Sequence, residues 1–398
     1  MNLNNFALAA VFLALVGCSA NNQVSTTSNQ HLSQQQAFER TIRPIDSNGN
    51  SSASATTLTV RMSAYRVPAV SITVFDNNQI IWSKGYGKAD IKLDRNTTSN
   101  TLFQAASISK AVTSVGAFKM IEHGDFALDE DVNLKLKRWQ VPDNQFTQHQ
   151  KVTPSRIMSH TSGLNVSGFE GYNTAQTTPS VVEILQGSEL SNSPAVRVFQ
   201  TPGASEHYSG GGMTVLQLLM EDTSRQAFAS LMEQLILQPL DMSQSAFELH
   251  LPERRQSQIA KGYNSQGKMI AGGYHLYPEK AAAGLWSTPK DLAKFMLALG
   301  KAYRGEDEAL LSQESAKTML TRVPGAGGTG IGIDGKADAF RFRHSGGNAG
   351  YTCYAVSFAD SGRGFVVMTN SDNGFQLIHE ISRAMSETYN WPAMWMRE

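Results

Sequence analysis

The sequence predicts an α/β (α+β) fold, a sheet interrupted by a long helical region. Three observations point there. Two short apolar, β-rich runs near residue 75 flank a turn, the stretch from Asp125 to about Tyr277 is mostly helical in pattern with long loops, and three further strand-like runs precede a closing amphipathic helix. With 398 residues, 41% of them apolar, the chain is long enough to bury a large core.

In chain order, the apolar run Phe6–Val16 is too short to span a bilayer and has the length of a signal-peptide core. It ends in Leu15-Val16-Gly17-Cys18, which resembles the lipobox of bacterial lipoproteins. That resemblance implies that residues 1–17 are removed, that Cys18 is lipidated, and that the exported protein is held on a bacterial membrane, facing the periplasm or at the outer membrane. Ser, Thr, Asn and Gln dominate from Ser19 to about Ala55, so residues 18–55 read as a solvated tether and 56–398 as one folded domain.

Within that domain Thr57–Arg66 reads as a short helix closed by Pro68, because the residue before a proline is kept out of helical geometry. Val70–Phe75 and Gln79–Lys84 read as a hairpin around Asp76-Asn77-Asn78. Ser107–His123 is helical in pattern: Ile108, Val112, Val115 and Phe118 share a face, small residues fill the middle, and Gly124 stops it. Met213–Leu219 and Ala227–Ile236 are helical pieces of the inserted region. Phe340–His344, Tyr351–Phe358 and Gly364–Thr369 are strands, and Phe375, Ile378, Ile381 and Met385 mark the last helix.

Charge and cysteines narrow the function. The 34 basic and 34 acidic residues balance, with no basic block to bind nucleic acid or coat a membrane, so a small-molecule or short-peptide substrate is the expected partner. Cys353 lies in an apolar run and reads as a buried small residue; with Cys18 lipidated no disulfide is available. No metal-ligand spacing links the histidines and cysteines, and no G-x-S-x-G elbow is present. Gly325-Ala326-Gly327-Gly328-Thr329-Gly330 follows a proline rather than a strand and leads into a strand rather than a helix, which excludes a dinucleotide fingerprint. Ser371-Asp372-Asn373 reads as the turn into the last helix.

Ser107-Ile108-Ser109-Lys110 puts a hydroxyl at a helix start and an amine three residues on, on the same face, where free backbone N–H groups also favour an oxyanion. The same spacing recurs in Ser287-Thr288-Pro289-Lys290, where Thr288 as N-cap, Pro289 at the first helical position and Asp291 at the third explain it. The first match gains weight from three motifs downstream of it, in this order: Ser159-His160-Thr161-Ser162-Gly163-Leu164, His207-Tyr208-Ser209-Gly210 and His344-Ser345-Gly346-Gly347-Asn348. Together these resemble the serine β-lactamase and penicillin-binding protein superfamily, nearest to its branch of class C β-lactamases, D-alanyl-D-alanine carboxypeptidases and related esterases, over about Thr56 to Trp395.

The resemblance implies an antiparallel sheet flanked by helices, and a site where the Ser107 helix meets the His344 strand. It implies Ser107 as nucleophile, Lys110 and Tyr208 as proton-handling partners, the N–H groups of Ser107 and Gly347 as oxyanion hole, and His344-Ser345-Gly346 as substrate-binding strand. It also implies acyl transfer to Ser107 and hydrolysis of an ester, amide or β-lactam, with no metal or organic cofactor. Whether Lys110 or Tyr208 takes the serine proton stays open. A non-enzymatic penicillin-binding or cell-wall-binding protein on the same fold is the rival.

Two positions depart from the family pattern. Gly210 replaces an asparagine that contacts the lysine and substrate amides, and His344 replaces a lysine that anchors carboxylates. Carboxylate binding is then expected to weaken as pH rises through about 6.5. Arg341 and Arg343 alternate away from His344 along the strand and are poor substitutes. His160 reads as a loop-fixing residue.

Overall fold

The computed structural model describes residues 29–46 and 49–394. Seven strands drawn from both ends of the chain form one sheet. They are β1 (Ala69–Asp76), β2 (Gln79–Asp90), β3 (Arg95–Asn96), β4 (Gly332–Asp334), β5 (Arg341–Asn348), β6 (Tyr351–Phe358) and β7 (Arg363–Thr369). Their order is β3-β2-β1-β7-β6-β5-β4, and every neighbouring pair is antiparallel. The long helices are α1 (Leu58–Tyr65), α2 (Ile108–Glu122), α3 (Gly210–Ser224), α4 (Pro289–Arg304) and α5 (Gly374–Tyr389).

The central strands are apolar on both faces because both faces are covered. Val70, Ile72 and Val74 of β1, Tyr354, Val356 and Phe358 of β6, and Phe365 and Val367 of β7 share one core with α1 and α5. The alternate residues Cys353, Ala355, Val366 and Met368 belong to the larger core on the other side, with α2, α3 and α4. That division is the two-residue side-chain period of a strand. The expected strands and helices lie within a few residues of their anticipated bounds, and Thr288 caps α4 as anticipated, its side chain accepting from Asp291 N.

Two expectations are corrected. The tether expected over 18–55 is folded from residue 29 onward: residues 29–40 form a helix, Phe38 and Ile42 are fully buried in the core under α1 and α5, and Ile42 bridges to Thr56. A polar composition hid two well-spaced apolar anchors. The region from 125 to 277 is mostly loop around one long helix, α3, and short ones such as Pro154–Met158 and Val181–Gln186. A two-stranded ribbon, Tyr172–Asn173 with His275–Leu276, pairs its middle with its C-terminal end. Helix α2 is buried all round from Ile108 to Phe118, because helices and sheet enclose it. Cys18 and residues 1–17, the expected leader, lie outside the described residues.

Candidate active site

Ser107 sits at the buried N-terminus of α2, and the chain reaches it through a strained turn. Ala106 has φ +46°, a left-handed conformation that alanine rarely adopts, and Ser107 follows with helical φ −66°. Its side chain makes no capping bond, so the Oγ is not consumed by the helix end. Instead Lys110, one turn on and 3% exposed, donates from Nζ to Ser107 Oγ at 3.0 Å and to the Ala282 carbonyl at 2.7 Å. Those two acceptors fix the amine beside the hydroxyl.

Tyr208 arrives from the loop before α3, where Ser209 is the N-cap. Its ring covers the amine, with Lys110 Nζ 4.9 Å from the ring centre, a cation–π contact. His160 steadies this loop as anticipated: Nδ1 accepts from Ser209 N at 3.2 Å, its carbonyl accepts from His207 N, and its ring lies 4.3 Å from that of Tyr208. Burial, then the neighbouring Lys110, pushes the His160 pKa down to about 3, so the ring is neutral at working pH.

Strand β5 closes the site. A Cβ at Gly346 would stand 2.6 Å from the Ala105 carbonyl and 2.9 Å from Ser107 N, so only glycine lets the strand approach the helix start this closely. Ala359 N donates to Phe340 O just before the paired stretch. By alternation along the antiparallel register, residues 342, 344, 346 and 348 then bond to β6 and the backbone groups of 343, 345 and 347 turn to the other edge. Strand β4 covers that edge only as far as Arg343, which leaves the Gly347 N–H uncovered by the sheet. Among the described residues nothing accepts from the Ser107 N–H. Asn348 locks the corner by donating to Gln104 Oε1 at 2.8 Å and to Ala283 O at 3.1 Å.

His344 differs from the expectation. Burial first, and then the positive Lys110, pushes its pKa down to about 4. The titration expected near 6.5 therefore falls outside the range in which an enzyme of this kind is assayed. Arg343 keeps the opposite strand face from His344, as alternation anticipates, yet it lines the same cleft, ion-paired with Asp334 across the β4–β5 edge.

A cleft opens beside Tyr208, His344 and Ser345, walled by Gly327, Gly328 and Gly330. That glycine-rich loop, legible in the sequence only as a false dinucleotide motif, is a wall here because its backbone packs against α2: a Cβ at Gly330, φ +88°, would lie 2.3 Å from Ser114. The Ala282 carbonyl and Glu206 were not legible either, since a backbone acceptor and a lone surface carboxylate carry no pattern. Among the described residues no cluster of His, Cys, Asp and Glu is placed to hold a metal ion.

A family model described as Beta-lactamase matches residues 54–388. The chain belongs to the beta-lactamase family. This beta-lactamase-family chain is 23% identical over 325 residues to Protein flp of Staphylococcus aureus (strain MRSA252), covering 78% of this chain and 60% of that relative. It is 27% identical over 242 residues to a beta-lactamase of Yersinia enterocolitica, covering 61% of this chain and 57% of the other. It thus spans about 60% of the length of the curated relatives it matches. Its fold is similar to the octameric penicillin-binding protein homologue from Pyrococcus abyssi (TM-score 0.70, 22% identity, 84% and 76% of the two chains). A penicillin-binding protein from Bacillus halodurans is also similar (TM-score 0.63, 20% identity, 81% and 97%). The family and its antiparallel, helix-flanked fold support a serine-hydrolase type of function.

Proposed function

We propose that this chain is a serine acyl hydrolase that forms an acyl-enzyme on Ser107 and prefers uncharged esters or amides to carboxylate-bearing β-lactams. The observation that carries the reading is the 3.0 Å contact from buried Lys110 Nζ to a Ser107 Oγ that caps nothing. In its free-base form the amine takes the hydroxyl proton as Oγ attacks the carbonyl. Tyr208, stacked on that amine, delivers a proton to the leaving group and later helps to activate the water that deacylates Ser107. The Ser107 and Gly347 N–H groups bind the oxyanion, a role that the helix start and the uncovered sheet edge both support.

The preference follows from two replacements. A Cβ at Gly210 would lie 3.0 Å from the Phe169 ring, so Phe169 crowds the direction in which an asparagine would project toward substrate amides. With its pKa near 4, His344 offers no cation to a carboxylate at neutral pH. Turnover of nitrocefin is therefore expected to be poor and without a step near pH 6.5 between pH 5.5 and 8.5. In His344→Lys it should rise about tenfold or more relative to a p-nitrophenyl ester. A wild type that already favours nitrocefin, or that loses nitrocefin activity through pH 6.5, would contradict this.

Labelling tests the nucleophile. A fluorophosphonate reagent followed by peptide mapping should place the adduct on Ser107, and label on Ser287 or Ser371 instead would sink the assignment.

A further inference from the structure

The cleft beside Tyr208 has a polarity that its hydrogen bonds define. His344 Nδ1 lies 2.7 Å from the Ser345 carbonyl, which can only accept, so the proton of the neutral ring is on Nδ1 and Nε2 presents a lone pair. Glu206, exposed on the cleft wall, is a carboxylate that makes no salt bridge among the described residues. Arg343, a cation that also lines the cleft, is ion-paired with Asp334. Lys110 lies behind the Tyr208 ring and does not itself line the cleft, although its charge is felt at His344. What the cleft lining itself offers a ligand is an acceptor nitrogen on His344 and the exposed carboxylate of Glu206. Both are complementary to a protonated amine.

From this we infer that the cleft is the leaving-group subsite and takes a leaving group bearing a protonated amine, paired with Glu206 and hydrogen-bonded to His344 Nε2. The inference rests on the reading of Ser107 as nucleophile and Tyr208 as proton donor, which places the departing group beside Tyr208. The substrate class is an ester of an amino alcohol or an amide of a diamine. Hydrolysis of the ester breaks the acyl C–O bond, leaves the acyl group on Ser107 and releases the amino alcohol with a proton on its oxygen. Water then frees the acid.

Three esters of one acid test it, followed by acid release: the 2-(dimethylamino)ethyl ester, protonated at pH 7, the near-isosteric uncharged 3-methylbutyl ester, and the anionic carboxymethyl ester. The expected order of kcat/KM is cation, neutral, anion, with about a tenfold gap between the first two. Glu206→Gln should bring that gap within about twofold of one, and Glu206→Lys should invert it. Preference for the anionic ester, or a gap that survives both substitutions, overturns the inference while leaving Ser107 catalysis standing. If no ester turns over and fluorophosphonate leaves Ser107 unlabelled, the hydrolase reading falls and calorimetric titration with 2-(dimethylamino)ethanol and with 3-methylbutanol judges the cleft. Binding of the amine alone, lost in Glu206→Gln, supports it. No binding of the amine overturns it.

Discussion

Ser107→Ala should lower kcat/KM on a p-nitrophenyl ester by about four orders of magnitude or more, with the unfolding transition unchanged. The fall is large because the nucleophile is the one group whose loss removes the covalent route, leaving only oxyanion binding and positioning. Lys110→Met should cost on the order of 10³, within the range of lost general-base catalysis, since Met fills the same buried channel without accepting the Oγ proton. Because the two act as a unit, the double variant should be little worse than Ser107→Ala alone. Lys290→Met, which alters the second Ser-x-x-Lys match at the start of α4, should leave kcat/KM within twofold. Equal losses from Lys290→Met and Lys110→Met would mean that general destabilisation, rather than chemistry, explains the effect.

The largest expected stability effect lies far from the site. Glu380 of α5 is 1% exposed and accepts four hydrogen bonds from three groups. Arg61 donates twice, Nε at 2.8 Å and a terminal nitrogen at 2.9 Å, Tyr65 donates its hydroxyl at 2.8 Å, and Ile45 its backbone N–H at 3.0 Å. This network joins α1 to α5 and also ties down a residue that precedes the family-matched span of 54–388. Glu380→Ala should destabilise the fold by about 3–5 kcal/mol, because it leaves a guanidinium, a phenol and an N–H without their shared acceptor. Arg61→Ala strands the carboxylate at a similar cost. The double variant should be less destabilised than the two single losses added, and strict additivity in urea unfolding would argue against a coupled network.

Much of the fold and part of the site could be read from residue patterns alone. The strands β1, β6 and β7 were legible because apolar, β-branched runs bounded by turn residues have few other readings. Helix α4 was legible because Thr288, Pro289 and Asp291 form a local start signal that depends on nothing distant. Ser107 and Lys110 were legible as neighbours because three residues on a helix make them so. What could not be read depends on contacts distant in sequence. The folding of residues 29–46 rests on Phe38 and Ile42 finding a core made by the other end of the chain. The seating of Lys110 uses a carbonyl at Ala282, and the depressed pKa of His344 comes from burial and from Lys110, more than two hundred residues earlier in the chain. Strand alternation set Arg343 apart from His344, but a cleft at a sheet edge draws on both faces of the strand.

Turnover is expected to pass through an ester on Ser107. Rapid-quench mass spectrometry during steady-state hydrolysis of a p-nitrophenyl ester tests it most directly. The expected result is an acyl mass increment on the peptide containing Ser107, forming at the rate of p-nitrophenol release and decaying at kcat when substrate is exhausted, and absent from Ser107→Ala. Sustained hydrolysis by the wild type with an increment on a different residue, or undiminished hydrolysis by Ser107→Ala, would contradict it.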